Sequence, residues 1–170
     1  MNADLREGTM ELWISVFKRI LGRPTESISL IDLCCGPMGN TRLLTFRKSL
    51  HVDVKDYDER PRQYEFMLHD VLTLPESFDG QYDVALCSDG IEHFSKVVGY
   101  RLIERMMSLS KKQVIFTPLG DYMVDPNSTI PESHKSGWLA EDFPPYFETQ
   151  EFPNWHPTLG IGGLWAWHSN

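Results

Sequence analysis

SLIDLCCGPMGNT, residues 29–41, decides how the rest of the chain is read. Residues 29–33 are a short, mostly apolar run suited to a buried strand, and Cys34-Cys35-Gly36-Pro37-Met38-Gly39 turns the chain sharply after it. Asn40 or Thr41 stands where it can cap a short helix running to Arg47. Before this stretch, Leu12, Trp13, Val16, Phe17, Ile20 and Leu21 recur at helical spacing over residues 10–21, and Gly22-Arg23-Pro24 ends that helix.

After it, the pattern repeats in kind. Residues 50–54 and 66–68 read as strands, and 82–87 as a buried one followed by a polar turn. Residues 100–109 are helical, with Leu102, Ile103, Met106 and Met107 on the inner side, and 114–117 is a β-rich run halted by Pro118. Strands alternating with helices, several of them apolar throughout, predict a mostly parallel sheet in a three-layer α/β/α domain. Two extended runs, 147–152 and 161–167, follow each other without a helix and predict an antiparallel hairpin at one edge. Residues 119–137 lack periodicity and read as a functional loop.

A chain of 170 residues, 24% of them charged and 41% hydrophobic, is one globular domain. Its formal charge of −8 argues against a nonspecific grip on phosphate backbones. No apolar run reaches membrane-spanning length, and residues 1–8 are too polar for a signal peptide. Three cysteines, two of them adjacent, make no disulfide framework and fit a reducing cytoplasm. They read as small buried hydrophobes, because three thiols without a fourth ligand make a poor zinc site. Two charged segments read as solvated: the mixed run 56–62, and a helix face carrying Arg101, Glu104 and Arg105.

In open α/β sheets, ligands bind beyond the carboxyl ends of the strands. Four such ends carry Asp32-Leu33-Cys34-Cys35-Gly36, Asp53, His69-Asp70-Val71 and Ser88-Asp89. With these motifs in this order the chain resembles class I S-adenosylmethionine-dependent methyltransferases over residues 28–167. S-L-I-D-L-C-C-G-P-M-G-N-T matches the family's glycine loop; H-V-D-V, F-M-L-H-D-V, Y-D-V-A-L-C-S-D-G-I-E-H-F, V-I-F-T-P and a closing G-I-G-G-L-W-A-W follow at the family's spacing. The resemblance implies a Rossmann-like fold and S-adenosylmethionine as cofactor, with S-adenosylhomocysteine as product. It divides the single domain into a helix (1–24), a cofactor-binding core (25–118) and an acceptor-side loop with the hairpin (119–170).

The site residues follow from that match. Gly36 lets the chain pass close to a ligand. A carboxylate ending the second strand can accept both hydroxyls of a ribose; Asp53 is favoured over Asp56, which lies nearer the usual distance from the loop. Asp70 can accept from an adenine amino group while the Val71 amide donates to the ring. Carbonyls near Cys34 and Ser88 can take the methionine ammonium group, and Cys35 lies in the same loop. By resemblance, Asp32 supports the loop on that side. Cys34 and Met38 stand where the family has glycines, which makes the turn less permissive.

Asp89-Gly90-Ile91-Glu92-His93 resembles the E-x-x-E-H of quinone-ring O-methyltransferases, where those residues hold a divalent metal; Asp89, Glu92 and His93 match, with Asp for the first Glu. The same pair starts a helix without metal in many methyltransferases, and no metal is the expectation. His93, with Glu92, is the first candidate base, and His134, in a His-x-Ser-x-Trp-like stretch, is the second. Residues 139–143 read as a short roofing helix, and Trp138 as a packing residue. Tyr122 and His156 are weaker pocket candidates.

Two other readings stay open. One is a catalytically silent S-adenosylmethionine-binding module, supported by Cys34 and Met38. The other is a dinucleotide-dependent oxidoreductase, suggested by Cys34-x-Gly36-x-x-Gly39. Against the latter, Pro37 removes an amide donor where a pyrophosphate would sit, and the terminal hairpin is unlike a second βαβ half. A small-molecule acceptor is expected, with no nucleic-acid or membrane partner.

Overall fold

Leu30 and Ile31 are adjacent in sequence and enter different cores, because successive side chains of a strand leave opposite faces. In the computed structural model, which describes residues 3–170 and side chains from Met10 onward, this alternation organises the whole chain. The polar start 1–8 thus lies outside the described residues, apart from helical backbone from Ala3. No helix among the described residues is long and apolar enough to cross a membrane.

The first helix, α1 (Ala3–Leu21), covers one face of the sheet with Trp13, Phe17 and Ile20, which meet Leu30, Leu86, Val114 and Trp165. The Trp13 ring lies 4.8 Å from Phe17 and 5.4 Å from Trp165. The strands are β1 (Ser29–Leu33), β2 (Lys48–Asp53), β3 (Phe66–Leu68) and β4 (Tyr82–Ser88), then β5 (Ser110–Pro118), β6 (Glu148–His156) and β7 (Ile161–Ser169). Helix α2 (Lys96–Leu109) covers the other face with Leu102, Ile103 and Met106 against Ile31, Ala85 and Ile115. All five residues of β1 are buried, as a strand between two helical layers must be.

Sheet order is β3-β2-β1-β4-β5-β7-β6. The first five strands in that order run parallel, and β7 runs antiparallel to both β5 and β6. The three-layer architecture and the terminal hairpin are as expected. One consequence matters for the site: the carboxyl ends of β1, β2 and β4 come out side by side.

Several local expectations are corrected. No α-helix follows the first loop; residues 41–47 form only a 3₁₀ turn, Thr41–Leu43. Thr41 spends its hydroxyl on Asp32, at 2.9 Å, and Asn40 makes no side-chain cap, so a segment too short to nucleate alone stays unwound. The roofing helix shrinks to a 3₁₀ turn, Ala140–Asp142, with Pro144 and Pro145 barring its extension. Helix α2 begins one turn before Tyr100. Gly99 lies inside it, because a side chain there would meet the Trp138 ring at 2.5 Å.

Two charged groups expected in solvent are withdrawn from it, Arg60 buried and Arg105 half-buried. Arg60 is 7% exposed, stacks 4.0 Å over Phe66 and donates through Nε to Asp56. Arg105 binds Asp79 and the carbonyls of Leu74 and Pro75, besides the Ser108 hydroxyl on its own helix, stapling α2 to the segment after β3.

Candidate active site

The strand ends open onto a cleft of two lobes, one of about 730 Å³ and one of about 230 Å³. The lobes share Cys34, Gly36, Pro37 and Asp89. All eight residues expected to touch a cofactor line one lobe or both. Asp53, Asp70 and Val71 face the larger lobe; Asp32, Cys35 and Ser88 face the smaller.

The loop after β1 takes the shape of a glycine loop without all of its glycines. Gly36 has φ +51°, but Cys34 (φ +56°) and Met38 (φ +59°) are also left-handed. That conformation costs an L-residue roughly 1–2 kcal/mol. The room for the Cys34 side chain comes from the neighbouring strand end. A Cβ on Gly90 would stand 2.8 Å from Cys34 Cβ and 2.8 Å from Cys87 Sγ. Gly90→Ala should therefore destabilise the fold by roughly 1–3 kcal/mol in urea unfolding, as overpacking does. Adding Cys34→Gly removes one of the two overlaps and the left-handed cost. The double variant should recover part of the loss; no recovery would mean that Gly90 is held by something other than Cys34.

Asp53 is tied on both oxygens. Oδ2 accepts from Gly36 N–H at 2.9 Å and Oδ1 from Lys55 N–H at 3.1 Å, each oxygen keeping lone-pair capacity. Asp56 also borders the cleft, but its carboxylate is taken by Arg60 and by Arg62, whose Nη1 lies 2.8 and 2.7 Å from its two oxygens. Asp70 accepts from Leu72 N–H on one oxygen. Val54, Leu68 and Leu72 add apolar wall to the larger lobe.

In the smaller lobe, Asp32 accepts from Thr41 and, at 3.0 Å, from His51, whose other ring nitrogen is buried without a partner among the described residues. Ser88 accepts from the Trp13 indole N–H at 3.2 Å and donates to Asp89 at 3.4 Å, so α1 reaches the site at the end of β4. The Cys35 thiol is held far above its usual range by burial and by Asp32 and Asp53.

At the junction stand the ionisable groups. Asp89 is exposed at the mouth of the cleft, where the Ser88 hydroxyl donates to its carboxylate at 3.4 Å. Glu92, 2% exposed, is pushed up to about 8 by burial and then by Asp89, although Thr117 donates to it at 2.9 Å. The His93 imidazole is lowered by burial, which favours its neutral form. His93 Nδ1 donates to the Ser133 carbonyl at 3.3 Å and His134 Nδ1 to the Tyr122 carbonyl at 2.8 Å, which leaves Nε2 of each ring as an acceptor. The rings lie 5.3 Å apart. Only His93 of the two lines the cleft. Trp138 is fully buried, as expected, and Tyr122 and His156 stay off the cleft wall.

One atom each from Glu92, His93 and His134 falls within 4.8 Å of the others, close enough for all three to hold one metal ion. Asp89, part of the expected match, is not in that group.

Four contributors were not read from sequence: Trp13, Lys55, Glu132 and Lys135. Lys55 Nζ binds Glu132 at 2.6 Å, and both line the larger lobe with Lys135. The amides of Lys135 and Ser136 donate to the Glu92 carbonyl at 2.7 and 3.2 Å, pinning the 119–137 segment against the site. The signals for that segment are its lack of periodicity and the His-x-Ser-x-Trp-like stretch at its end.

No protein-family model matches the chain. No curated protein matches it either. Solved structures do. The Burkholderia thailandensis 1,6-didemethyltoxoflavin-N1-methyltransferase, with bound 1,6-didemethyltoxoflavin and S-adenosylhomocysteine, is 15% identical; 95% of this chain aligns with 78% of that one at a TM-score of 0.69. Magnesium protoporphyrin IX methyltransferase from Synechocystis PCC 6803, with bound S-adenosylhomocysteine, is 16% identical, with coverage of 99% and 88% and a TM-score of 0.66. The methyltransferase domain of bacterial CtHen1-CN is 15% identical, with coverage of 98% and 100% and a TM-score of 0.63. Together with the sheet order and the antiparallel β7, these likenesses show that the chain has the class I methyltransferase fold.

Proposed function

We propose that the chain transfers a methyl group from S-adenosylmethionine to a small-molecule acceptor. The observation that carries this reading is the two-lobed cleft and its donor set. The larger lobe offers a fixed carboxylate (Asp53), a second acceptor (Asp70) and apolar walls, which suit a nucleoside. The smaller offers acids and hydroxyls, Asp32, Thr41, Ser88 and Asp89, which suit an ammonium group. Beside Gly36, where they meet, a side chain would find nothing within 4 Å, so the room is there for a ligand. The residues fit the group.

When bound, the cofactor supplies an electrophilic methyl on a sulfonium, open to in-line displacement. The chain's part is to hold the partners in line and to take a proton from the acceptor. His93 is the group for the second task, held toward its neutral form by burial and lining the cleft. The acidic surface supports a small acceptor over nucleic acid.

Thermal unfolding with S-adenosylmethionine, S-adenosylhomocysteine or NADH tests the reading. At 100 times its dissociation constant a ligand stabilises by roughly 2.7 kcal/mol, a melting shift of roughly 5–10 °C for a chain this long. The expected result is a shift with both sulfur ligands and none with NADH. NADH alone acting would favour an oxidoreductase; no shift with either sulfur ligand would remove the methyltransferase reading. Binding without turnover across many acceptors would favour a silent module, against which the convergence of Asp89, Glu92, His93 and His134 speaks.

A second reading has its own observation. Glu92, His93 and His134 fit a divalent cation: both imidazoles donate Nδ1–H to carbonyls, as metal-bound histidines do, and their Nε2 atoms remain available. A cation there would act as a Lewis acid toward an acceptor oxygen. Mn²⁺ or Zn²⁺ added to metal-stripped protein separates the two. A melting shift abolished by Glu92→Gln and by His134→Ala supports the cation; no shift leaves His93 as a base.

A further inference from the structure

Cys34 and Cys87 leave different strands and converge on Gly90. Leu33 pairs with Cys87 across the parallel ladder, and Cys34 is the next residue along. A methyl group built on Gly90 would stand 2.8 Å from Cys87 Sγ and 3.6 Å from Cys34 Sγ, so both sulfurs border one point in space. Their exposures differ. Cys34 is half-buried and lines both lobes of the cleft, whereas Cys87 is fully buried beneath it. Hydrogen bonding with Cys34, and then burial, keep the Cys87 thiol protonated. All three cysteines are free thiols, and the third, Cys35, points its Sγ at the Gly36 carbonyl 3.6 Å away.

We propose that Cys34 and Cys87 are an oxidisable dithiol in the floor of the cleft, Cys34 meeting the oxidant and Cys87 resolving it. The oxidant is a hydroperoxide. The Cys34 sulfur attacks the O–O bond and becomes a sulfenic acid, while the other oxygen leaves as water or an alcohol. The Cys87 sulfur then attacks the Cys34 sulfur. An S–S bond forms, and the sulfenic hydroxyl departs as water with the Cys87 proton. Two thiols are oxidised and one peroxide reduced. An accessible thiol with a resolving partner beside it is the arrangement such chemistry needs. Cys34 is also among the residues that both lobes share, so a bond back to β4 alters the floor on which a cofactor would lie.

The test treats the whole chain with hydrogen peroxide and measures intact mass without reductant. The expected product is a monomer lighter by two hydrogen atoms, with one thiol left for N-ethylmaleimide after unfolding and a peptide map joining Cys34 to Cys87. Cys35→Ala should still form the bridge. Cys87→Ala should instead give a Cys34 sulfenic acid that dimedone traps. Three alkylatable thiols after peroxide, a bridge through Cys35, or a bridge only between two chains would overturn the proposal. One further arm rests on the cofactor reading: S-adenosylhomocysteine added first should slow the bridge. Equal rates with and without it count against that reading of the cleft, and the mass result still decides the dithiol.

Discussion

Asp53→Ala should weaken S-adenosylhomocysteine binding by roughly 10²–10⁴, measured by calorimetry. The magnitude follows from the bonds lost: a ribose diol gives a carboxylate two charge-assisted hydrogen bonds, at roughly 1.5–3 kcal/mol each. Asp53 is suited to receive them because its position is already fixed. The Gly36 and Lys55 amides hold the two oxygens, so little ordering remains to be done on binding. Asp53→Asn keeps one carbonyl oxygen and should fall between wild type and alanine. Asp56→Asn is the discriminating control. Its carboxylate is spent on Arg60 and Arg62, so binding should stay within error of wild type. The reverse pattern, with Asp56 essential and Asp53 dispensable, would move the ribose site down the chain. A melting curve of each variant without ligand separates lost binding from lost folding, a needed check because Asp53 also ties the loop to β2.

The parts of this fold legible in the sequence are those with short-range causes. Buried strands announce themselves as apolar runs, and 29–33 and 82–87 stand within a residue of the runs that predict them, as does the half-exposed edge strand 66–68. The hairpin was legible because no helical pattern separates its strands. Parallel order then does the rest: once β1, β2 and β4 are neighbours, their polar ends share one cleft. What failed was what depends on distant partners. Arg60 and Arg105 look like surface charges until Phe66 and Asp79 are brought to them. Thr41 looks like a helix cap until Asp32 takes its hydroxyl. Trp13 and Ser88 lie 75 residues apart, and Lys55 and Glu132 77; no local pattern links either pair.

The left-handed turn shows the same limit from the other side. Cys34 and Met38 at glycine positions suggested a damaged loop. The structure keeps the loop's shape, and the space for Cys34 is supplied by Gly90, 56 positions along and on another strand end. A departure from a local rule was balanced by a residue that the local rule does not mention.

His93→Ala should lower turnover to S-adenosylhomocysteine by roughly 10²–10⁴, the span of a lost general base, while leaving affinity for S-adenosylhomocysteine within a few-fold of wild type. The two histidines are not equivalent. Both tie Nδ1 to a carbonyl, but His93 lines the cleft, and burial favours its neutral form, able to accept a proton. His134 stands behind it, its ring 5.3 Å away and its Nδ1 tied to the 119–137 segment. His134→Ala should therefore cost less turnover than His93→Ala, acting through the position of its neighbour. His93→Gln adds a further check, since it keeps polarity without basicity and should not rescue. An alanine variant at 93 with unchanged turnover would discard the base. Equal losses at 93 and 134, together with a lost Mn²⁺ or Zn²⁺ melting shift in both, would instead make the pair ligands of one cation, because removing either ligand of a shared ion empties the same site.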